Sequence, residues 1–131
     1  MTDLTDKART LIDEPNFAYV ATVMEDGSPQ VSPVWIDRED GRVVFNTAVG
    51  RVKERNLRRD PRIAISIADR GDQYSKVDIR GRVTDFVEGD EADRHIDKMA
   101  KKYIGQETYP WKSPGEQRVI VKVQPERISE M

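Results

Sequence analysis

Short runs of β-forming residues recur along this chain, and the spacers between the first three leave room only for reversals. Phe17-Ala18-Tyr19-Val20-Ala21-Thr22-Val23-Met24 is apolar on both faces and rich in aromatic and β-branched residues, so it reads as a strand buried on both sides. Asp26-Gly27 is a hairpin signal. The returning strand is Val31-Ser32-Pro33-Val34-Trp35-Ile36, in which Pro33 has no N–H for a ladder and so marks an edge or a bulge. A second turn, Glu39-Asp40-Gly41, leads into Val43-Val44-Phe45-Asn46-Thr47. Strands joined by such turns pair antiparallel.

Three further strands follow. Ile63, Ile65 and Ile67 alternate with Ala64, Ser66 and Ala68, giving a bulky face and a small face that suits close approach by something else. Val77, Ile79, Gly81 and Val83 alternate with Lys76, Asp78, Arg80 and Arg82, and Gly81 suggests a bend or bulge. Val119, Val121 and Val123 form the last. Six strands in 131 residues favour a closed or split barrel, because closure removes exposed edges. Three short helices complete the chain. Leu4, Ala8, Leu11 and Ile12 recur at helical spacing, with Asp3 placed to cap the start and Pro15 to end it. Arg51 to Asp60 is a short basic helix. Ala92, Ile96, Met99, Ala100 and Tyr103 mark an amphipathic one closed by Gly105. With no linker, repeat or low-complexity tract, residues 1–131 are expected to form one domain.

Composition narrows the chemistry. The absence of cysteine removes disulfides, thiolate metal sites and cysteine nucleophiles. A single histidine, His95, makes a histidine metal site or a serine–histidine relay improbable, so no metal is expected. His95 itself lies at the margin of a helix stripe, where a surface role is the plain reading. No segment approaches the roughly 20 apolar residues of a membrane helix, and the acidic N-terminus lacks the pattern of a secretory signal. A cytoplasmic protein with no membrane partner is the expectation. Acids number 24 and bases 22, a net charge of −2, which excludes an indiscriminate polyanion binder.

That balance conceals one concentration of charge. Arg51, Lys53, Arg55, Arg58, Arg59 and Arg62 face only Glu54 and Asp60, a local charge of +4. Cations at a helix start oppose the macrodipole, and like charges at i and i+4 such as Arg51 and Arg55 cost about 0.2–0.5 kcal/mol per pair. A docked anion reverses both effects, and Thr47 just upstream adds a hydroxyl. The plain alternative is a solvated basic face. A groove for single-stranded nucleic acid is another, but it needs aromatics beside the charges. The nearest, Trp35 and Phe45, fall at positions that read as buried. Trp111, with Tyr109 and Pro110, either covers a ligand or plugs the barrel.

In this order of features the chain resembles the pyridoxamine phosphate oxidase-like split β-barrel family, and most of all its branch of small reductases that use the deazaflavin coenzyme F-420. The resemblance runs from about residue 5 to residue 128. Val31-Ser32-Pro33-Val34-Trp35 carries it, as do the span from Asn46-Thr47 through Arg51-Val52-Lys53 and Asn56-Leu57 to Asp60-Pro61, Lys102-Tyr103-Ile104-Gly105 and Val123 to Ile128. It implies a six-stranded antiparallel split β-barrel of the FMN-binding type, mainly β with short helices. It also implies a homodimer with cofactor clefts at the subunit interface.

For the site, the resemblance places the cofactor phosphate by Thr47, Arg51 and Lys53. The backbone around Ser32, Pro33 and Val34, with Asn46, lines the tricyclic ring. Lys76 stands where flavin-binding relatives usually carry a glutamine near the ring, and Arg55 meets phosphate or the anionic tail of the deazaflavin. The chain departs from the oxidase proper. The serine–arginine–lysine of its phosphate site is Arg51-Val52-Lys53 here, Val31 replaces an arginine, and its late tryptophan and arginine have no clear counterpart. Those losses argue against vitamin B6 oxidation. The implied activity is hydride transfer from reduced coenzyme F-420 to a small organic acceptor with an activated double bond, with FMN as the alternative cofactor. A non-catalytic cofactor carrier or an oligonucleotide-binding barrel is the rival from another class. No catalytic residue is identified, since a redox cofactor carries the chemistry itself.

Overall fold

The structure is a computed structural model that describes residues 2–131. In chain order its elements are α1 (Asp6–Asp13), β1 (Phe17–Val23), β2 (Pro29–Glu39), β3 (Arg42–Ala48), α2 (Val52–Arg59), β4 (Arg62–Asp69), β5 (Asp72–Glu88), α3 (Asp90–Ile104) and β6 (Arg118–Glu130). All strand pairs are antiparallel, and they close in the order β1-β2-β3-β6-β5-β4. The expected six-stranded split-barrel fold is therefore present. Its inside is a single apolar cluster that takes Val20 from β1, Val34 and Ile36 from β2, Phe45 from β3 and the three isoleucines of β4. Ala8, Leu11 and Ile12 of α1 seal one end. No helix among the described residues is long and apolar enough to cross a membrane.

Local chemistry explains the turns. Asp40 and Gly41 have φ of +53° and +78°, the pair of positive values that a tight hairpin between twisted strands requires. Gly27 closes a wider turn, its N–H donating to the Met24 carbonyl at 2.9 Å. The cap of α1 is Thr5, whose hydroxyl accepts from the Ala8 N–H at 3.1 Å, and not Asp3. Thr5 lies one residue before the first helical turn, the only place from which a short side chain reaches those N–H groups.

Three expectations change. β1 is buried on one face only: Phe17 is 57% and Tyr19 51% exposed, because a barrel strand turns alternate residues outward. β5 and β6 are far longer than their alternating cores suggested, 17 and 13 residues. Both continue across bulges, at Arg80/Gly81 and Val83/Asp85, that break the alternation without ending the pairing. Gly81 permits the first of these, since a Cβ there would stand 2.2 Å from the Gln124 carbonyl oxygen.

Candidate functional site

The barrel is opened by its own register. β2 and β3 pair from Ile36↔Phe45 to Glu39↔Arg42 and no further. Continued, that register would set Trp35 against Asn46, Val34 against Thr47 and Pro33 against Ala48. Instead the strands part, and Pro33, Val34, Trp35, Asn46 and Thr47 line a cleft of about 300 Å³ between them. Pro33 accordingly lies on a locally unpaired edge, as its missing N–H demands. Cavities of this size begin the range of small-molecule sites.

Past β3, Gly50 (φ +93°) turns the chain into α2 and brings Arg51 and Lys53 to the cleft mouth. No side chain caps α2 at Arg51, so the helix start keeps free donors; Glu54 instead accepts from the Gly50 N–H at 2.8 Å. The six bases of the sequence now separate into two groups. Arg58 binds Glu54 at 2.8 Å and Glu88 at 3.0 Å with its guanidinium 4.0 Å over the Phe86 ring, Arg59 reaches the Val23 carbonyl, and Arg62 holds Asp60. Arg51 has one loose contact, 3.4 Å to Glu116. Lys53 and Arg55 have no carboxylate partner among the described residues. Burial first, then the charges of Arg51 and Arg118, push the Lys53 ammonium below its ordinary pKa. The Thr47 hydroxyl is buried with no hydrogen-bond partner among the described residues. An unpaired ammonium, an unpaired hydroxyl and an uncapped helix start fit an anion.

Opposite the charges stand rings. Trp35 stacks on Tyr103 at 5.2 Å, meets Tyr109 edge-on at 6.0 Å and lies 6.4 Å from Trp111. Phe17, Trp35, Tyr109 and Trp111 all border the cleft. Trp35 was expected to be buried and reaches the cleft instead, whereas Phe45 is fully buried as expected. Trp111, 61% exposed, borders the mouth and does not plug the barrel. Its loop is pinned to α3 where the Tyr109 N–H donates to Asp97 at 2.8 Å.

Of the residues singled out from sequence, Pro33, Val34, Asn46, Thr47, Arg51 and Lys53 meet in this cleft. Ser32 lies beside it on β2 with a buried, unpartnered hydroxyl. Arg55 is exposed on α2 and Lys76 binds Asp78 on β5 at 2.7 Å; neither borders the cleft of its own chain. Phe17, Tyr19, Ile96 and Arg118 were missed, and Arg118 matters most. Arg118 is 4% exposed in the cleft floor, where its Nε donates to Asn46 Oδ1 at 2.8 Å and Nη1 to Glu116 at 3.2 Å. Its guanidinium also lies 5.1 Å from the Tyr109 ring centre. An arginine opening a run of valines was its only local signal.

Comparison with known proteins bears on this arrangement. A family profile described as pyridoxamine 5'-phosphate oxidase matches residues 4–131. A solved structure described as an F420 reductase is 31% identical, with 94% of this chain and 96% of that one covered and a TM-score of 0.82. A conserved hypothetical protein of Mycobacterium tuberculosis shares the fold at 23% identity, TM-score 0.73, over 98% and 86% of the two chains. General stress protein 26 of Bacillus anthracis shares it at 16% identity, TM-score 0.71, over 96% and 92%.

Proposed function

The chain belongs to the pyridoxamine 5'-phosphate oxidase family, and from that membership we propose that it is a coenzyme F-420-dependent oxidoreductase acting on a small organic acceptor with an activated double bond. The observation that carries the proposal is the cleft itself: Lys53 without a carboxylate, the loosely paired Arg51 and the unpartnered Thr47 hydroxyl on one side, an aromatic wall on the other. A phosphorylated, flat, conjugated molecule has both of the features these walls ask for. The deazaflavin is preferred over FMN because the F420 reductase is similar over nearly the full length of both chains.

In this reading Thr47, Arg51 and Lys53 hold phosphate, and exposed Arg55 takes the anionic tail. The edge of β2 at Ser32, Pro33 and Val34, together with Asn46, orients the ring. When bound, the deazaflavin supplies the hydride. The chain's part is to fix phosphate and ring and to keep water from the ring face with Trp35, Tyr109 and Trp111. No side chain is assigned as acid or base, and the proton comes from solvent. A homodimer is part of the proposal, supported by the exposed outer face of Phe17, Tyr19 and Val31 beside the cleft. Lys76, outside its own chain's cleft, would reach a ring only from the second protomer.

Titration of the purified protein with coenzyme F-420 and separately with FMN, followed by fluorescence quenching, tests the choice. Tighter FMN binding transfers the same site to a flavin enzyme. Failure of both, with oligonucleotide binding that weakens steeply with salt, replaces the reading by a nucleic-acid barrel.

A further inference from the structure

The single histidine is not a margin residue. His95 of α3 is mostly buried against the cleft floor, and both ring nitrogens have partners. Nε2 is 3.1 Å from Asp37 Oδ2 on β2, and Nδ1 is 3.1 Å from Asn46 Nδ2 on β3. The Asn46 amide is saturated in turn. Its Nδ2 also donates to the Ala92 carbonyl at 3.0 Å, and its Oδ1 accepts from Arg118 Nε at 2.8 Å. Reversing that amide would set two donors together at Arg118 and two acceptors together at Ala92, so its orientation is determined. With Asn46 as donor, Nδ1 must accept. The imidazole proton then lies on Nε2, pointing at a carboxylate.

We propose that His95 is a positioning residue of the cleft: as the neutral Nε2–H tautomer it fixes the Asn46 amide, and through it the Arg118 guanidinium, in the geometry that receives the anionic cofactor. The proposal rests on the reading of the cleft as a cofactor site. Protonation of His95 would add a second donor facing the Asn46 N–H. The amide could relieve that only by reversing, which turns its own N–H groups onto Arg118. Acid would thus release the Arg118 Nε from Asn46 and leave Glu116 as its remaining anchor. The charged groups facing His95 are Asp37 of β2, with Lys98 of α3 on the same carboxylate at 3.2 Å, and, across Asn46, Arg118 of β6 with its partner Glu116.

A lone histidine makes the test clean. Long-range 1H–15N NMR of the ligand-free protein at pH 7.5 should report the Nε2–H tautomer. An Nδ1–H tautomer or an imidazolium at that pH would overturn the proposal. His95→Leu should weaken binding of coenzyme F-420 or FMN about tenfold, the loss expected when a charged group gives up a fixed partner. His95→Gln offers an acceptor and a donor that do not titrate. It should restore affinity and abolish that part of the pH dependence which follows the His95 NMR titration in wild type. Ionisation of FMN's own phosphate is common to both proteins and cancels in the comparison. Leu binding within twofold of wild type, or Gln binding as poorly as Leu with an unchanged melting temperature, would also overturn it. If wild type binds neither cofactor, the cofactor reading fails by itself. The positioning role is then decided by the Asn46 side-chain amide resonances, which must shift in step with His95 titration.

Discussion

Replacing Lys53 by methionine should change stability and affinity in opposite directions. The substitution keeps the stem and removes the ammonium. That ammonium is half-buried, has no carboxylate partner among the described residues, and has Arg51 and Arg118 as its charged neighbours. Its pKa in the folded protein is depressed, so the folded state holds the proton less firmly than the unfolded chain does. Stability is therefore reduced while Lys53 is charged and rises with pH between the lowered folded pKa and the ordinary 10.5. Its burial first, then two like-charge neighbours at a few tenths of a kcal/mol each, put the relief at about 0.5–1 kcal/mol for a half-exposed group. For a chain of this size that is a gain of about 2–5 °C in melting temperature at pH 7. The gain should shrink as pH approaches 10.5, where wild-type lysine also loses its charge. Cofactor affinity should fall at least about tenfold, about 1.4 kcal/mol, because a charged hydrogen bond to phosphate is lost. Scanning calorimetry at pH 7 and pH 10 and a fluorescence titration measure both quantities on one sample. Arg58→Met is the control: it loses two carboxylate partners and the Phe86 ring, so stability should fall while affinity holds. A Lys53→Met protein that is less stable than wild type, or that binds cofactor within twofold of it, refutes the anion site.

Gly81→Ala should cost about 2–4 kcal/mol in urea unfolding, because its Cβ would collide with backbone rather than a movable side chain; a loss under 0.5 kcal/mol would mean β5 and β6 slide apart freely. Tyr103→Phe should cost about 1–3 kcal/mol, since the hydroxyl donates to the Asn16 carbonyl at 2.6 Å and accepts from the Ile36 N–H at 3.0 Å. Asp37 offers an acid test: burial alone would raise its carboxyl, but hydrogen bonds from His95, the Arg38 N–H and Lys98 bring it down to about 2. Its contribution is complete above the ordinary 3.8 and is lost as pH falls toward 2, so Asp37→Asn should flatten the acid limb of the stability profile over that window.

What could be read from the sequence was whatever short range decides. The turn at Asp40-Gly41, the inward isoleucines of β4 and the glycine at the β5 bulge depend on neighbouring residues, and all stand as expected. The basic stretch was visible too, with Glu54 and Asp60 inside it, but not that Glu88 and Phe86 join them around Arg58 and leave Lys53 and Arg55 without a carboxylate among the described residues. Both of those come from β5, far along the chain from α2. The Asp37–His95–Asn46–Arg118 chain was out of reach for the same reason. It exists only because β3 pairs with β6, Asn46 opposite Ile120 and Ala48 opposite Arg118, while α3 lies across both. One histidine in a helix stripe carries no trace of that register.

The parting of β2 and β3 has a further consequence for how such a chain can diversify. The gap's width is fixed where the ladder stops, at Ile36 and Phe45, deep in the apolar interior. Loop substitutions at Tyr109 or Trp111 can alter what enters the cleft, but not how thick a molecule it accepts. On the proposed function, a gap held open by the sheet would admit one flat ring system as a matter of scaffold. The residues along it keep their ladders to β1 and β6 but face no strand across the gap, so their side chains can change without unzipping the barrel. Constancy of the bound ring and variety of its reaction partners would then be written into different parts of one molecule, the first into strands and the second into the loop that overhangs them.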